Sequence, residues 1–399
     1  MSDAWPRVAL AELVIQRRDA VKIESGGEYR LLGVRWYGEG AFHRETVTRK
    51  TSKATTVYRV KPGQFIYNRL FAGKGSFGLV LPEFADAFVS NEFPLFDTDT
   101  ERLSTEYLKL YFQQRPVWEY VEAVSTGTTA SRNRWKESQF LAHHIPLPAL
   151  AMQEQIIEVI NAVDGQIAAL DAEAGALRPI LRRRRADLLT DDSVESVRAE
   201  HAFDFSTGVR RTPDRATGPY MTPYLRSANV GYGTLDLSDV LEMNFDPAER
   251  KKFSLQYGDV VVSEGSASAN AVGMPAMWRD ELPAPVCTQM TLLRLRALEG
   301  VCIPEFVFHW SIWAYESRAF LDIAGGTNIK HISAKRAKGM AVRLLPLDRQ
   351  REIAAELDAM ESALKATRAE AARLREVRAA LLSNLLDRTI EIKTAELEI

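Results

Sequence analysis

One short pattern occurs twice in this chain, and the repetition constrains its fold more than any other feature of the sequence. Residues 146–156 read PLPALAMQEQI, and residues 343–353 read RLLPLDRQREI. When Gln153 is aligned with Gln350, Ile156 falls on Ile353, and the two copies lie about half of the 399-residue chain apart. A pattern that repeats at half length predicts two similar structural units, each ending in the same way.

A long helical pattern follows each copy. Its apolar residues recur at alternating steps of four and three, which is the spacing of a coiled-coil seam. The first seam is Ile156, Ile160, Val163, Ile167, Leu170, Ala174, Leu177 and Leu181, and the second is Ile353, Leu357, Met360, Leu364, Thr367, Ala371, Leu374, Arg378, Leu381 and Leu385. A lone helix cannot bury such a seam, so we predict that the two helices pack together. The pattern alone leaves either orientation open, and we favour the antiparallel one. Ordinary amphipathic core helices are the alternative.

Two residues interrupt the first helical pattern. Gly175 and Pro179 stand where the second copy has Ala372 and Glu376. Because proline has no backbone N–H and clashes with the preceding turn, the first helix is expected to kink or end near residue 178.

Weaker sequence similarities occur between the segments that precede the two helices. Five pairs of segments match in the same order, namely 30–40 with 223–233, 60–70 with 255–265, 89–99 with 286–296, 105–114 with 304–313, and 125–135 with 324–334. Apolar runs such as 64–67 and 259–263 predict strands, whereas 105–121 and 304–322 predict helices. We therefore predict an α+β fold with an internal pseudo-two-fold repeat. It has α/β domains at 1–150 and 191–345, helices at 151–190 and 346–390 that form an antiparallel coiled coil, and a tail at 391–399.

The composition is that of a soluble protein with two domains. The chain is 46% hydrophobic and 26% charged, and it exceeds the length at which one core keeps growing. No segment has the pattern of a signal peptide or a membrane span, so we expect a cytoplasmic protein without a membrane partner. The formal charge of −2 neither indicates nor excludes nucleic acid, because binding depends on local basic surfaces. Cys287 and Cys302 lack ligand spacing and are expected to be core thiols.

Standard catalytic motifs are absent from the sequence. It has no phosphate-binding P-loop, no HExxH, no GxSxG and no FxGxG-type loop of amino-methyltransferases. His143 and His144 have no carboxylate or cysteine at ligand spacing, which favours a structural role over a metal site. We expect no catalytic residue, metal or cofactor in this chain. Two globular segments joined by long helices can bind one ligand at two places. DNA with a bipartite site is a ligand of this kind.

The repeated motif also carries a family resemblance. GTT at 127–129 precedes the first copy of the motif, and GTN at 326–328 precedes the second. This order of elements, found twice around two variable α/β segments, resembles the specificity subunits of type I restriction-modification systems over essentially the whole chain. The elements are loose individually and fairly specific when duplicated in this order. The family usually has Glu before the motif glutamine, where this chain has Met152 and Arg349.

The resemblance implies a function and partners. In that family the globular domains are target-recognition domains, each of which reads one half of a split site in double-stranded DNA. The helices space these domains and dock two methyltransferase subunits, so S-adenosylmethionine is expected in the partner subunit. The resemblance leaves open whether restriction subunits join the complex. If the helices act as a spacer, the gap in the DNA site should follow their length.

Side-chain chemistry selects the DNA-binding candidates. Arg, Lys, Asn and Gln read base edges, Glu and Asp accept from cytosine, and Arg, Lys, Ser and Thr bind phosphates. The candidates are Arg35, Tyr37, Arg69, Lys74, Ser76, Arg132, Arg134 and Lys136 in the first domain, and Arg226, Asn229, Glu264, Ser266, Asn270, Asn328, Lys330 and His331 in the second. The loop 125–136 is the best single candidate, because its small residues let the backbone approach phosphates. The alternative for this loop is a solvated charge run. The arginines at 182–185 could contact phosphates or the acidic face of a partner, and their alternative is a solvated helix C-terminus, where cations suit the helix dipole.

Two other functions stay open at this stage. One is a DNA-modifying enzyme with a non-standard active site, and modification of DNA by the purified chain would favour it. The other is a coiled-coil scaffold that binds only proteins. Salt-sensitive binding of duplex DNA would count against the scaffold, because counterion release accompanies phosphate neutralisation.

Overall fold

The chain forms two compact units in a computed structural model that describes residues 5–127, 133–266, 268–327 and 329–392, without the side chain of Ser266. Unit 1 is drawn from Met1–Leu170 and Ala369–Ile399, and unit 2 is Asp171–Arg368. Within the described ranges no helix is both long and apolar enough to cross a membrane.

Unit 1 combines three sheets with helices. Its strands are β1 (Arg7–Ala9), β2 (Val14–Arg17), β3 (Asp19–Lys22), β4 (Tyr29–Val34), β5 (Ala41–Val47), β6 (Thr56–Arg59), β7 (Phe65–Tyr67), β8 (Phe77–Leu79), β9 (Phe88–Val89), β10 (Leu95–Thr98) and β11 (His144–Pro146). Its short helices are α1 (Thr105–Tyr111), α2 (Arg115–Val124) and α3 (Glu137–Leu141). The sheet orders are β2-β10-β7-β8, β3-β6-β9-β4-β5 and β1-β11. Aromatic side chains from β7, β8 and β10 fill the core beneath α1 and α3.

Unit 2 is built in the same way after the first long helix, α4 (Leu150–Leu189). Its strands are β12 (Ser196–Arg198), β13 (Phe203–Thr207), β14 (Met221–Leu225), β15 (Leu241–Asn244), β16 (Val260–Ser263), β17 (Gly265–Ser266), β18 (Pro275–Met277), β19 (Cys287–Thr288), β20 (Leu292–Ala297), β21 (Lys330–His331) and β22 (Ala341–Arg343). Its helices are α5 (Pro247–Phe253), α6 (Pro304–Glu316), α7 (Ala319–Asp322) and α8 (Ala334–Lys338), and the second long helix α9 (Leu347–Leu386) follows. The sheet orders are β13-β20-β16-β18, β15-β14-β19, β17-β21 and β12-β22.

The strand pairing confirms the predicted internal repeat. The order β2-β10-β7-β8 matches β13-β20-β16-β18, and every neighbouring pair in both sheets is antiparallel. Strand β4 pairs antiparallel with β5 and parallel with β9, as β14 does with β15 and β19. Gly63 and Gly258 precede matching strands, and both adopt positive φ, 85° and 86°, which glycine tolerates without strain. The units differ in the segment before β7 and β16. Unit 1 has strand β6 ahead of β7, whereas unit 2 has helix α5 ahead of β16.

The repeated glutamine has the same structural role in both units. Gln153 and Gln350 are fully buried. The side-chain carbonyl of Gln153 accepts a hydrogen bond from Ser104 N–H at 2.9 Å, and that of Gln350 accepts one from Ile303 N–H at 3.0 Å. The two amide groups donate to the carbonyls of Arg102 and Pro148 in unit 1 and of Val301 and Leu345 in unit 2. Each glutamine therefore ties the start of a long helix to the loop before α1 or α6, and satisfies buried backbone groups.

The long helices pack in antiparallel orientation within each unit, as predicted. Helix α4 spans Leu150–Leu189 and α9 spans Leu347–Leu386, compared with predicted ranges of 151–190 and 346–390. One buried cluster of unit 1 contains Ile156 and Ile160 from the start of α4 together with Leu382 and Leu385 from the end of α9. A buried cluster of unit 2 contains Leu181 and Leu188 together with Ile353 and Leu357. In each unit, therefore, the start of one helix accompanies the end of the other.

Helix α4 continues past Pro179, so the prediction that it could end near residue 178 is wrong. Proline at position 179 removes one N–H and pushes against the carbonyl four residues earlier, which belongs to Gly175. A Cβ built on Gly175 would meet nothing within 4 Å, so the backbone there has room to adjust. Leu177 and Leu181 pack against the core of unit 2 on either side of the proline and hold the helix in place.

The two cysteines are core thiols, as predicted. Cys287 and Cys302 are both buried and unbonded to each other. Burial raises the pKa of the Cys287 thiol to about 11 and that of Cys302 to about 12. Both thiols therefore stay protonated and unreactive at neutral pH.

Candidate nucleic-acid interface

Backbone hydrogen bonds join three loops of unit 1, at 35–40, 68–76 and 126–136. The N–H of Tyr37 donates to Lys74 O at 2.9 Å, and the N–H of Trp135 donates to Arg69 O at 3.0 Å. Thr126 and Arg134 exchange N–H···O bonds of 3.2 and 3.1 Å, which close the third loop. The loops that carry the sequence-predicted candidates of the first domain are therefore brought together.

An ion cluster lies at the base of the closed loop. The guanidinium of Arg134 donates to both carboxylate oxygens of Glu92 at 3.0 Å. Arg69 bonds Glu137 at 3.1 Å and lies 3.6 Å from Glu92. The hydrogen bonds from Arg134 lower the pKa of the Glu92 carboxyl, so this group is ionised at neutral pH. Arg69 is largely buried and its charge is balanced internally, so it positions the loop, whereas Arg134 lies nearer to solvent.

An exposed aromatic surface, formed by Trp36, Tyr37 and Phe71, adjoins these loops. Their exposed fractions are 44%, 64% and 41%, and the Trp36 ring lies 5.3 Å from Phe71 and 6.3 Å from Tyr37. Tyr37 has a φ of 58°, which bulky residues rarely adopt, and its bond to Lys74 O holds it there. A strained turn that keeps aromatic rings in water is typical of a binding surface. Sequence reasoning named Tyr37 and missed its two neighbours, although the aromatic pair before Gly38 was a visible signal.

The other candidates of unit 1 divide into exposed and buried side chains. Arg35, Lys74 and Lys136 are exposed, and the Arg35 guanidinium lies 4.8 Å from the centroid of the Phe42 ring. Ser76 is fully buried, and its hydroxyl donates to Val34 O at 2.7 Å. Because that hydroxyl has no route to a ligand, we correct the sequence-based selection and leave Ser76 out of the interface.

Unit 2 joins its matching loops through equivalent bonds. The N–H of Glu264 donates to Thr291 O, and the N–H of Ile332 donates to Glu264 O, both at 2.8 Å. Gly325 and His331 exchange N–H···O bonds of 2.9 and 2.8 Å, and so close a loop that corresponds to 126–134. Loop residues 264–266 therefore lie beside 330–331, as the pairing of β17 with β21 also shows.

The side chains at this junction differ from those of unit 1. Glu264 is half-buried, and desolvation raises the pKa of its carboxyl while nearby His331 lowers it. Lys330 is half-buried, whereas His331 and Asn270 are exposed. The carboxylate of Glu264 lies near the imidazole of His331, and Lys330 adds a cation on the paired strand, so the junction can accept from and donate to base edges.

Asn229 and Arg226 serve the fold of unit 2. Asn229 is 2% exposed, accepts from Arg226 N–H at 3.0 Å, and donates to the carbonyls of Asp236 and Asp239. The guanidinium of Arg226 is paired with Asp239 at 2.5 Å. The structure therefore corrects the selection of Asn229, whose amide is saturated by the backbone of its own loop.

Three further candidates lie wholly or partly outside the described residues. Arg132 and Asn328 lie outside the described residues, and of Ser266 only the backbone is described, in β17 opposite Lys330.

One group of described side chains has the chemistry of a metal site. His309, Asp358 and Glu361 offer ligand atoms within 4.8 Å of one another in unit 2. The fully buried guanidinium of Arg185 binds Glu361 and also bonds Glu316 at 2.8 Å. Because Arg185 already supplies the compensating positive charge, we assign this group to an internal ion network.

Comparisons with known proteins agree on one family. No family model matches the chain. The specificity subunit of the type I restriction enzyme EcoKI from Escherichia coli (strain K12) is 23% identical over 252 residues, covering 58% of this chain and 53% of that protein. The match therefore spans about half the length of this curated relative.

Solved structures match over nearly the whole chain. A structure that addresses complex assembly and conformational transition of the type I restriction-modification system gives a TM-score of 0.70 at 14% identity, covering 98% of this chain and 99% of that chain. The HsdS subunit from Thermoanaerobacter tengcongensis gives 0.54 at 15% identity, with 97% of each chain covered. The type I S subunit from M. genitalium gives 0.54 at 13% identity, covering 98% and 97%. The predicted resemblance and the predicted fold are confirmed.

Proposed function

We propose, from the fold that this chain shares with type I specificity subunits, that it recognises a bipartite site in double-stranded DNA and positions methyltransferase subunits on it. Each unit reads one half-site through its joined loops. Unit 1 uses Arg35, Lys74, Arg134 and Lys136 with its aromatic surface, and unit 2 uses Glu264, Asn270, Lys330 and His331.

One observation carries this proposal. The two units repeat the same strand order, the same glutamine bonds and the same loop closures, yet the side chains on the joined loops differ. Arg69 of unit 1 corresponds to Glu264 of unit 2, and Arg134 corresponds to His331. A duplicated frame with unlike loops is suited to two different half-sites, because the hydrogen-bonding groups on the loops determine which bases are accepted.

The proposed complex assigns the chemistry to partners. We propose that the chain is not itself catalytic, that two methyltransferase subunits bind it, one for each repeat, and that S-adenosylmethionine binds in those subunits. Restriction subunits would join the same assembly where a system has them. Mass measurement of the reconstituted complex tests the stoichiometry, and a strict one-to-one assembly, or DNA methylation by this chain alone, would contradict it.

Selection of bound sequences from a randomised DNA library tests the reading of half-sites. In unit 1 the variant is Arg35→Gln with Lys136→Gln, and in unit 2 it is Glu264→Gln with Lys330→Gln. Each double variant should relax preference at one half-site only, since a base-specific contact contributes about 1–3 kcal/mol. Arg115→Gln is the matched control, because Arg115 is exposed on α2 and pairs with Glu119 of the same helix rather than with a residue of the joined loops.

The outcome separates the three functions considered. Loss of preference at both half-sites from a change in one unit would contradict independent reading. Absence of salt-sensitive duplex binding by the complex would favour a protein scaffold. Modification of DNA by the purified chain would favour an enzyme.

A further inference from the structure

A cleft of about 510 Å³ lies in unit 2 on the flank of the candidate interface. Its lining includes Arg178 and Arg182 from α4, Arg318 from the turn before α7, Asn270 from the loop 263–273, and Tyr232 and Tyr315. The volume is within the range of cavities that hold small ligands or parts of larger ones.

The positive charge in the cleft is largely uncompensated. Among the described residues, neither Arg178 nor Arg318 forms an ion pair with a carboxylate. Arg182 donates one guanidinium N–H to the backbone carbonyl of Glu316, which carries no formal charge. The Glu316 carboxylate also lines the cleft, but it already accepts hydrogen bonds from Arg185 at 2.8 Å and from Tyr232 at 2.7 Å.

The neutral side chains of the cleft add hydrogen-bonding groups around these cations. The Tyr315 hydroxyl donates to Asn270 O at 2.6 Å and so connects the cleft to the loop that carries Glu264. Arg318 has a φ of 69°, the left-handed conformation with which α6 ends and the chain turns into α7, and this turn places Arg318 at the cleft. The Tyr232 and Tyr315 hydroxyls are committed to Glu316 and to Asn270 O, so the donors left for a ligand are the three guanidinium groups and the side-chain amide of Asn270, which are groups that bind phosphate oxygens in nucleic-acid complexes.

We propose that this cleft binds a phosphate group, and that the phosphate belongs to the DNA backbone beside the half-site read by unit 2. The assignment to DNA rests on the proposed function, and it is favoured because Asn270 belongs both to the cleft and to the joined loops. The contact carries no sequence information and sets the register of unit 2 along the duplex. A free nucleotide offers the same chemistry and is tested separately.

The salt dependence of DNA binding provides the first test. In the full complex, Arg178→Gln and Arg318→Gln should each reduce the slope of log affinity against log salt by about one, with unchanged half-site preference. Arg183→Gln is the matched control, because Arg183 lies on the same helix, is 86% exposed and does not line the cleft. Arg182→Gln is measured as well, and its folding is checked because Arg182 also bonds the backbone of α6.

Neutral DNA backbone provides the second test. A duplex with single methylphosphonates beside the unit 2 half-site should bind the wild-type complex several-fold more weakly at one or two positions, whereas the Arg178→Gln/Arg318→Gln variant should show no further loss there. If the arginine variants keep the wild-type salt slope while the complex still binds its site, the assignment to DNA phosphates is overturned and the proposed function stands. If the complex binds no DNA at all, the proposed function itself fails.

Titration of the full chain with ATP and with inorganic phosphate tests the free-ligand source. Binding that the Arg178→Gln/Arg318→Gln variant loses and Arg183→Gln retains, with an unchanged DNA salt slope, would transfer the site to a free nucleotide. Wild-type behaviour of the double variant in all three experiments would overturn the phosphate site altogether.

Discussion

Arg69 lies at the base of the closed loop in unit 1, and Glu264 occupies the same position in unit 2. The backbones of these two residues make equivalent bonds. Each N–H donates to a carbonyl that precedes the next strand, Glu92 O before β10 and Thr291 O before β20, and each carbonyl accepts from the residue directly after the closing pair, Trp135 or Ile332. The side chains have opposite charge. Backbone hydrogen bonds therefore maintain the shared frame, while side chains that are not needed for those bonds are able to differ between the two units.

The ion pairs that link the long helices show a second contrast. In unit 2 the fully buried Arg185 of α4 binds Glu361 of α9 and Glu316 of α6. In unit 1 Arg378 of α9 binds Asp164 of α4 at 2.5 Å and Gln113 at 2.7 Å, and its side chain is 16% exposed. The helix that supplies the arginine is exchanged between the units, and the pair in unit 2 is more deeply buried.

The largest expected effect separates these two ion pairs. Arg185→Met should destabilise unit 2 by about 3–5 kcal/mol, because it leaves two carboxylates without their buried partner. Arg378→Met should cost unit 1 about 1–2 kcal/mol, since Asp164 can still reach water. Hydrogen exchange resolved by peptide measures each unit separately, and equal losses in the two units would contradict the contrast in burial.

One position is titratable in unit 1 and not in unit 2, because it is His143 in unit 1 and Met340 in unit 2. Leu10 N–H donates to His143 O in unit 1, and Ala199 N–H donates to Met340 O in unit 2. Burial, with smaller effects from Arg7 and His144, lowers the pKa of His143 from 6.5 to about 4. Between pH 4 and pH 6.5, His143 therefore binds a proton more readily in the unfolded chain than in folded unit 1. The contribution of this site to the free energy of unfolding is complete above pH 6.5 and decreases as the pH drops from 6.5 to 4. Below pH 4 the total decrease is about 3 kcal/mol.

His143→Met places the residue of unit 2 in unit 1 and should remove this acid sensitivity. Urea unfolding monitored by hydrogen exchange between pH 7 and pH 4 should show a flatter profile for unit 1 in the variant than in the wild type. His144→Gln is the control, because His144 is exposed. If the pH dependence of unit 1 is unchanged in His143→Met, the histidine is not the source.

The repeated glutamines should behave alike. Gln153→Ala and Gln350→Ala should each destabilise their own unit by about 2–3 kcal/mol, because three hydrogen bonds are lost and buried backbone groups are left without partners. Thermal and urea unfolding with peptide-resolved exchange would show this. Losses that differ by more than about twofold would mean that the two bonding patterns are not energetically equivalent.

The smallest expected effect concerns the aromatic surface, which belongs to unit 1. Tyr37→Gly relieves the positive φ while it removes the ring, and with Trp36→Ala it should weaken DNA binding by about 1 kcal/mol at one half-site. Tyr257→Ala is the matched control, since Tyr257 is 59% exposed in unit 2 and lies outside the joined loops. Intact DNA binding by Tyr37→Gly/Trp36→Ala, together with loss of a methyltransferase subunit, would identify the surface as a protein contact instead.

The sequence by itself determined the repeat, the fold class and the long helices. These features depend on periodicity and on local propensity, which are visible along the chain. The apolar seam spaced by fours and threes predicted α4 and α9 to within a few residues. The runs at 64–67 and 259–263 became β7 and β16, and the cysteines without ligand spacing became buried thiols.

Only the tertiary structure decided which polar side chains of the loops face inward. Ser76 and Asn229 have the same chemistry as base-reading or phosphate-binding residues, but their partners, Val34 and the 236–239 segment, come close only after folding. The course of α4 through Pro179 depended in the same way on leucines packed against unit 2. The physical reason is that a side chain's availability to a ligand depends on which groups the folded backbone brings against it. For Ser76 that group is a carbonyl 42 residues away, and for Asn229 it is the carbonyls of its own folded loop, neither of which the residue type or the local pattern reveals.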